Sequence, residues 1–269
     1  MALVTERDLA DTFPTQRGLT AWDRVEEYRE VMSYASKHPN KGSSAISTAL
    51  EVPRGRIRPW LDSDSKPDPV NAIDHAHELG WLDIAPGTDK ASGLVKLVAW
   101  IYSGGSISAQ DYRPTFAVRS SFGGPDNIDL TVLETAFDEL GAEPAVVQRE
   151  NGRATEVRPG SDAVLLGRLL AAAGAPVGDK NESTSITLPD WLPDVFKFHQ
   201  REFCRIYLLN RAVEREGRPN HRFCIAEERP DAYHQELAEF FETVAGLDGA
   251  TISEHNLYLS DDLVKEVLD

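Results

Sequence analysis

Apolar and polar positions along this chain sort into helices and strands whose order occurs twice. Trp22, Val25, Tyr28 or Arg29, Met32 and Ala35 recur at helical spacing, and Pro39-Asn40-Lys41-Gly42 ends that helix. Ala45, Ile46, Ala49 and Leu50 share one face of a short second helix that Ser43 or Ser44 is expected to cap. Glu51-Val52-Pro53 predicts a turn, and Pro53 suits the first position of a third helix. That helix carries Arg54, Arg56 and Arg58 at its start, with Trp60 and Leu61 placed to pack back on its predecessor. Pro59 removes a helical donor and disfavours helical geometry at Arg58, so the helix is expected to be short or kinked. A helix over residues 68–79 stops at Gly80, and Pro86-Gly87-Thr88-Asp89 predicts a linker. Residues 1–20 contain Pro14 and Gly18 without an apolar period and predict a flexible arm.

Past the linker the pattern changes to helix, strand, strand, helix, strand, strand, helix. The helices fall at 91–103, 130–140 and 162–173; the strands fall at 106–109, 113–120, 144–150 and 153–158. Asn151-Gly152 is a hairpin-turn signal between the last two strands. A spacer over 176–193 leads into the same order again: helix 195–212, strands 213–216 and 221–228, helix 231–244, strands 251–253 and 256–259, helix 261–267. The expected class is therefore α+β. An arm (1–20) and a helix-turn-helix module (21–85) precede two repeats (91–175 and 176–269). A duplicated strand-bearing unit builds a body with two similar halves, which suits a target that is itself roughly two-fold symmetric, such as duplex DNA.

Charge first argues against that target, because the net charge of -16 is opposite to the basic surfaces that grip phosphate. Its distribution changes the picture. From Lys37 to Lys66 the balance is +3, which leaves -19 on the rest, and twelve acids crowd residues 226–269. Twenty arginines and only eight lysines on an acidic chain predict a salt-loaded, haloarchaeal cytoplasm. No apolar run approaches the roughly 20 residues of a membrane span and the N-terminus lacks a signal-peptide pattern, so a cytoplasmic location without membrane contact is expected. The two cysteines, Cys204 and Cys224, are expected to be buried and reduced, and no zinc-type spacing occurs. No cofactor is expected.

Helix, short turn and a helix opening on cations is the helix-turn-helix arrangement, whose second helix sets its N-terminal residues in the major groove. Lys41, Ser43, Ser44, Arg54, Arg56, Arg58 and Lys66 are the candidate DNA contacts in this module. The other reading, a solvated basic turn on a helical bundle, stays open. In the repeats the candidates are Arg113, Arg119, Arg149, Arg153, Arg158, Arg218 and Arg222; Arg211, Arg215 and Arg229 belong to the same arginine-rich strand regions. Alternation along a strand would send about half of these side chains to one face.

The element order over residues 92–269, with Leu97 to Gly105 and Phe203 to Arg211 heading the two halves, resembles the double-motif LAGLIDADG homing endonucleases. Leu188-Pro189-Asp190-Trp191-Leu192 and Arg201-Glu202-Phe203 resemble the lead-in to their second motif. The resemblance implies that the motif helices pair at the centre and that two curved antiparallel sheets form a saddle over the major groove. The last acidic residue of each motif, a metal ligand in that family, falls here on Gly104 and Asn210. Glycine offers no ligand and asparagine no charge, so metal-assisted strand cleavage is expected to be lost. The second motif also departs at the helix contact, where Arg205 replaces a small residue. A helix-turn-helix joined to an inactive endonuclease fold resembles the WhiA-type transcription factors in general plan, with the parts in the opposite order. The implied partners are double-stranded DNA and the transcription machinery, the chain acting as a monomer or weak homodimer.

Two other readings stay open at this point: an active or nicking endonuclease, and an interaction scaffold that never binds nucleic acid. Asp111, Asp126 and Asp129 are candidates for a displaced metal site, whereas His221 and His255 fit structural roles. No catalytic triad motif, phosphate-binding loop or dinucleotide fingerprint is present.

Overall fold

The computed structural model describes residues 2–118, 130–147, 155–180, 186–215 and 222–269. These form an α+β chain with eleven α-helices and two antiparallel four-stranded sheets among the described residues. The chain divides into a helical unit, Val4–Leu82, and a larger one spanning Asp83–Asp269, which Leu3 joins by donating its N–H to Ile84 O (3.2 Å).

The helical unit begins with α1 (Glu6–Asp11), where a flexible arm was expected. The correction has a local cause. The Thr5 hydroxyl accepts from Asp8 N while the Asp8 carboxylate accepts from Thr5 N, a reciprocal cap that satisfies orphan donors of the first turn. Leu9 is fully buried, and α1 packs on two later helices, α2 (Ala21–Lys37) and α5 (Asp68–Leu79). Residues Gln16 and Leu19 exchange backbone hydrogen bonds of 3.0 Å across a tight turn.

Helices α3 (Ser43–Leu50) and α4 (Arg54–Asp62) complete this unit around Val31, Ile46, Ile57 and Trp60. Tyr28 meets Trp60 edge to face with centroids 5.4 Å apart. Capping of α3 differs from expectation: Gly42 occupies the N-cap and no side chain caps the helix. Ser43 is instead buried inside the first turn, where its hydroxyl accepts from Arg54 Nε (3.4 Å). Helix α4 is short but continues past Pro59 to Asp62, and Ser63 N closes it by donating to Pro59 O (3.1 Å).

In the larger unit, Thr88 caps α6 (Asp89–Ser103), and every residue of α6 from Ala91 to Ser103 is buried. A helix enclosed on all sides must sit at the centre of its domain. It is followed by β1 (Gly105–Ile107), β2 (Pro114–Val118), α7 (Leu130–Leu140), β3 (Pro144–Val147), β4 (Thr155–Pro159) and α8 (Ala163–Ala172). After a 3₁₀ turn at Leu192–Asp194 come α9 (Lys197–Arg211), β5 (Ala212–Glu214), β6 (Phe223–Ala226), α10 (Asp231–Ala245), β7 (Ala250–Ser253), β8 (Asn256–Leu259) and α11 (Asp261–Leu268). The Asn151-Gly152 turn lies outside the described residues.

The two sheets have the orders β1-β2-β4-β3 and β5-β6-β8-β7, the same topology in each half. Phe116 stands opposite Val157 in the first sheet and meets Phe137 of α7 edge to face at 5.4 Å. In the second, Ile225 stands opposite Leu257 and Phe223 opposite Leu259, all buried. Helix α6 packs against both α7 and α9, so the halves share one core. Lys96 enters that core only with its charge matched by Glu139 (2.8 Å). Among the described residues no helix is long and apolar enough to cross a membrane.

Candidate nucleic-acid interface

The corner between α3 and α4 is made by Glu51 in the left-handed conformation (φ 58°) followed by Val52 and Pro53. Ser47 Oγ donates to Val52 O (2.7 Å) and ties the turn to α3. Ile57 and Trp60 point into the helical core, and Arg54 and Arg58 stand exposed beside that buried stripe. Arg58 pairs with Asp62 (3.2 Å) across one exposed helical turn, an interaction worth only a few tenths of a kcal/mol and easily exchanged for another anion.

Arg56 behaves differently from its neighbours. Both Glu27 oxygens lie within 2.9 Å of its Nη1, and its side chain is three-quarters buried against α2. It ties α4 to α2 and is not a free surface cation. Lys41 donates to Tyr34 OH (2.7 Å) with its ammonium 5.0 Å from the Tyr34 ring centroid. Lys66 pairs with Asp74 (2.7 Å), Ser43 is buried, and Ser44 is exposed on the first turn of α3. Arg54, Arg58 and Ser44 are therefore the exposed candidates of this corner, with Lys41 and Lys66 engaged in exposed contacts.

Among the repeat arginines, Arg119, Arg149, Arg153 and Arg218 lie outside the described residues, as do Asp126, Asp129 and His221. Arg113 pairs with Asp111 (3.2 Å), Arg158 with Glu156 (2.8 Å) and Arg222 with Glu214 (2.6 Å) and Asp261 (3.4 Å). The face of the first sheet opposite Phe116 and Val157 carries Ser106, Thr115, Ala117, Glu156 and Arg158, a small and polar surface whose two charges match. On the second sheet Val213, Cys224, Tyr258 and Thr251 align across the strands, and the Arg215 guanidinium lies 5.3 Å from the Tyr258 ring centroid. Cys224 is thus half-buried and not enclosed as expected, while Cys204 is buried and its thiol pushed well up by desolvation. His255 is exposed and contacts Asp231 (3.0 Å).

The C-terminal ends of α6 and α9 meet. Asn210 Nδ2 donates to Ser103 Oγ (2.9 Å), and Ser103 Oγ donates on to Ala99 O (2.8 Å). A Cβ on Gly104 would stand 3.1 Å from Asn210 Cγ and 3.2 Å from Trp100 Nε1, so a longer side chain there has to displace both. Gly104 and Asn210 are therefore neighbours, and the hydrogen bonds beside them, from Asn210 through Ser103 to Ala99, are neutral. Arg205 is two-fifths exposed and lies beside Glu202 (3.5 Å). Among the described residues no three His, Cys, Asp or Glu side chains converge as a metal site would require.

Sequence reasoning missed Lys180, which lay in a featureless spacer. Its Nζ donates to Ile101 O (2.5 Å) and Gly105 O (2.7 Å), a cation on the carbonyl end of α6. Desolvation, aided by Arg229 and Arg211 and opposed by Glu227, pulls its ammonium down to about 7. Beside it, the nearly buried Glu227 carboxylate pairs with Arg211 (2.6 Å) and Arg229 (3.4 Å) and accepts from Tyr207 OH (2.7 Å). Arg229 Nη1 donates to Lys180 O. No motif in the sequence marks this cluster, because its members are contributed by four separate segments.

No protein-family model matches the chain, and no curated protein matches it either.

Proposed function

We propose that the protein is a sequence-specific double-stranded DNA-binding regulator, joining a helix-turn-helix module to a catalytically inactive fold of the LAGLIDADG type. The carrying observation is the α3–α4 corner: Ile57 and Trp60 anchor α4 in the helical core while Arg54 and Arg58 stand exposed at its open side. A short helix so placed can present guanidiniums to guanine edges or phosphates. Support for the second part comes from the identical strand orders of the two sheets and from the apposition of Gly104 and Asn210 at the ends of paired helices. Neither residue brings the charge a catalytic magnesium ion needs. Because Arg113, Arg158 and Arg222 are matched by acids, the sheets would add few phosphate contacts, and base edges and duplex shape would carry more of the recognition.

Mobility shift on genomic fragments tests this reading. The wild-type chain should retard a discrete subset of fragments, and Arg54→Ala with Arg58→Ala should weaken that binding by about 1–3 kcal/mol per lost contact. Absence of any retarded band at low salt would replace the regulator with a scaffold. Reproducible nicking of plasmid in magnesium would instead restore an endonuclease.

A further inference from the structure

The helical unit contains a cleft of about 210 Å³ lined by Arg17, Arg24 and Arg56 beside Leu19, Trp60 and Pro67. Their electrostatic states differ. Glu27 neutralises Arg56. Arg24 has only neutral acceptors, donating from Nη1 to Gln16 Oε1 (3.0 Å) and from Nη2 to Pro14 O (3.1 Å), and its Nε is buried with no partner among the described residues. Arg17 has no carboxylate partner among the described residues. Two positive charges are thus left unmatched at a partly apolar cleft in a chain otherwise rich in acid.

The backbone turn fixes where the Arg17 side chain leaves the chain. Arg17 is held at φ 52° and Gly18 at φ 78° in the turn closed by the reciprocal bonds of Gln16 and Leu19. That left-handed geometry is unfavourable for arginine and normally falls to Gly, Asn or Asp.

We propose that this cleft binds a small organic anion, a carboxylate or phosphate monoester with an apolar body. Arg17 and Arg24 grip the acidic group with their planar forks, and the apolar body lies against Leu19 and Trp60. The volume is below the range typical of drug-sized ligands, which restricts the occupant to a compact metabolite. Arg56 and Trp60 belong to α4, so an occupant ties the arginine-bearing helix to the 16–19 turn. The consequence for DNA affinity, and that consequence alone, rests on the DNA-binding reading.

The test uses the full chain with benzoate, phenyl phosphate and inorganic phosphate as probes, followed through the Trp60 indole NMR signal, assigned with Trp60→Phe. Expected is a saturable one-site shift with benzoate or phenyl phosphate and weaker binding of inorganic phosphate. Arg17→Gln and Arg24→Gln should each weaken binding at least tenfold, and Arg113→Gln should leave it unchanged. Arg17 has no side-chain role in the core, so its variant stays informative even if Arg24→Gln fails to fold. No saturable shift with either aromatic anion, or binding indifferent to Arg17→Gln, overturns the proposal. A Trp60 signal that responds to duplex DNA alone also overturns it and assigns the cleft to a phosphodiester. Anion binding in a chain that never retards DNA upholds the cleft and removes only the regulator.

Discussion

Raising the pH from 6.5 to 9.5 should stabilise the larger unit through one residue, Lys180. Its ammonium is desolvated beside Arg229 and Arg211 and its folded-state value lies at about 7, against 10.5 for the exposed side chain. Between those two values the unfolded chain binds the proton that the folded chain has released, so stability rises with pH across that window. Below about pH 7 both states are protonated and the full cost of the buried charge is present. The gap of 3.5 pH units corresponds to about 5 kcal/mol at about 1.4 kcal/mol per unit. Roughly 3 kcal/mol of it falls between pH 6.5 and 9.5. Urea unfolding followed by tryptophan fluorescence across that range measures it. Lys180→Met should abolish the rise, and Lys180→Arg, which cannot release its proton, should abolish it too. Acids raised by burial, Cys204 among them, contribute in the opposite sense in all three proteins and cancel in the comparison. Profiles for wild type and Lys180→Met that stay parallel within about 0.5 kcal/mol would refute the argument.

Two further outcomes follow from packing. A methyl group on Gly167 would stand 1.5 Å from Tyr112 O, so Gly167→Ala should lower stability by about 1–3 kcal/mol despite the better helix propensity of alanine. A melting temperature at or above that of wild type would contradict the close approach of α8 to the 108–113 loop. Ile57 is fully buried in the small core of α2, α3 and α4, and Ile57→Ala should cost about 2–5 kcal/mol, a large share of the stability of a unit this size. Amide exchange in α2–α4 should quicken accordingly, and unchanged protection would show that Ile57 does not anchor the α4 helix.

The sequence was most readable where one residue's neighbours along the chain decide its state. Helix α7 spans Leu130–Leu140 and α5 spans Asp68–Leu79, as their apolar periods and end signals predict. Helix α1 shows the limit of attention to period alone: Thr5-Glu6-Arg7-Asp8 carries a capping signal, but six residues are too few for an amphipathic repeat. Of the candidate interface, Arg54 and Arg58 were legible from the turn before them. Arg56 was not distinguishable from them, because its partner Glu27 lies 29 residues away on another helix.

What the chain determines by itself is the order and type of its elements and the doubling of that order, since helical and strand periods, caps and turns are local properties. Folding in three dimensions decided which charges are free and which are spent. Lys180 becomes a depressed base only because α6 lends it two carbonyls and other segments surround it with Arg211 and Arg229. Arg17 and Arg24 become an unmatched pair only because a turn and a helix bring them to one cleft. Coulomb energy and desolvation depend on separation in space and on burial, and neither distance is written in the spacing of residues along the chain.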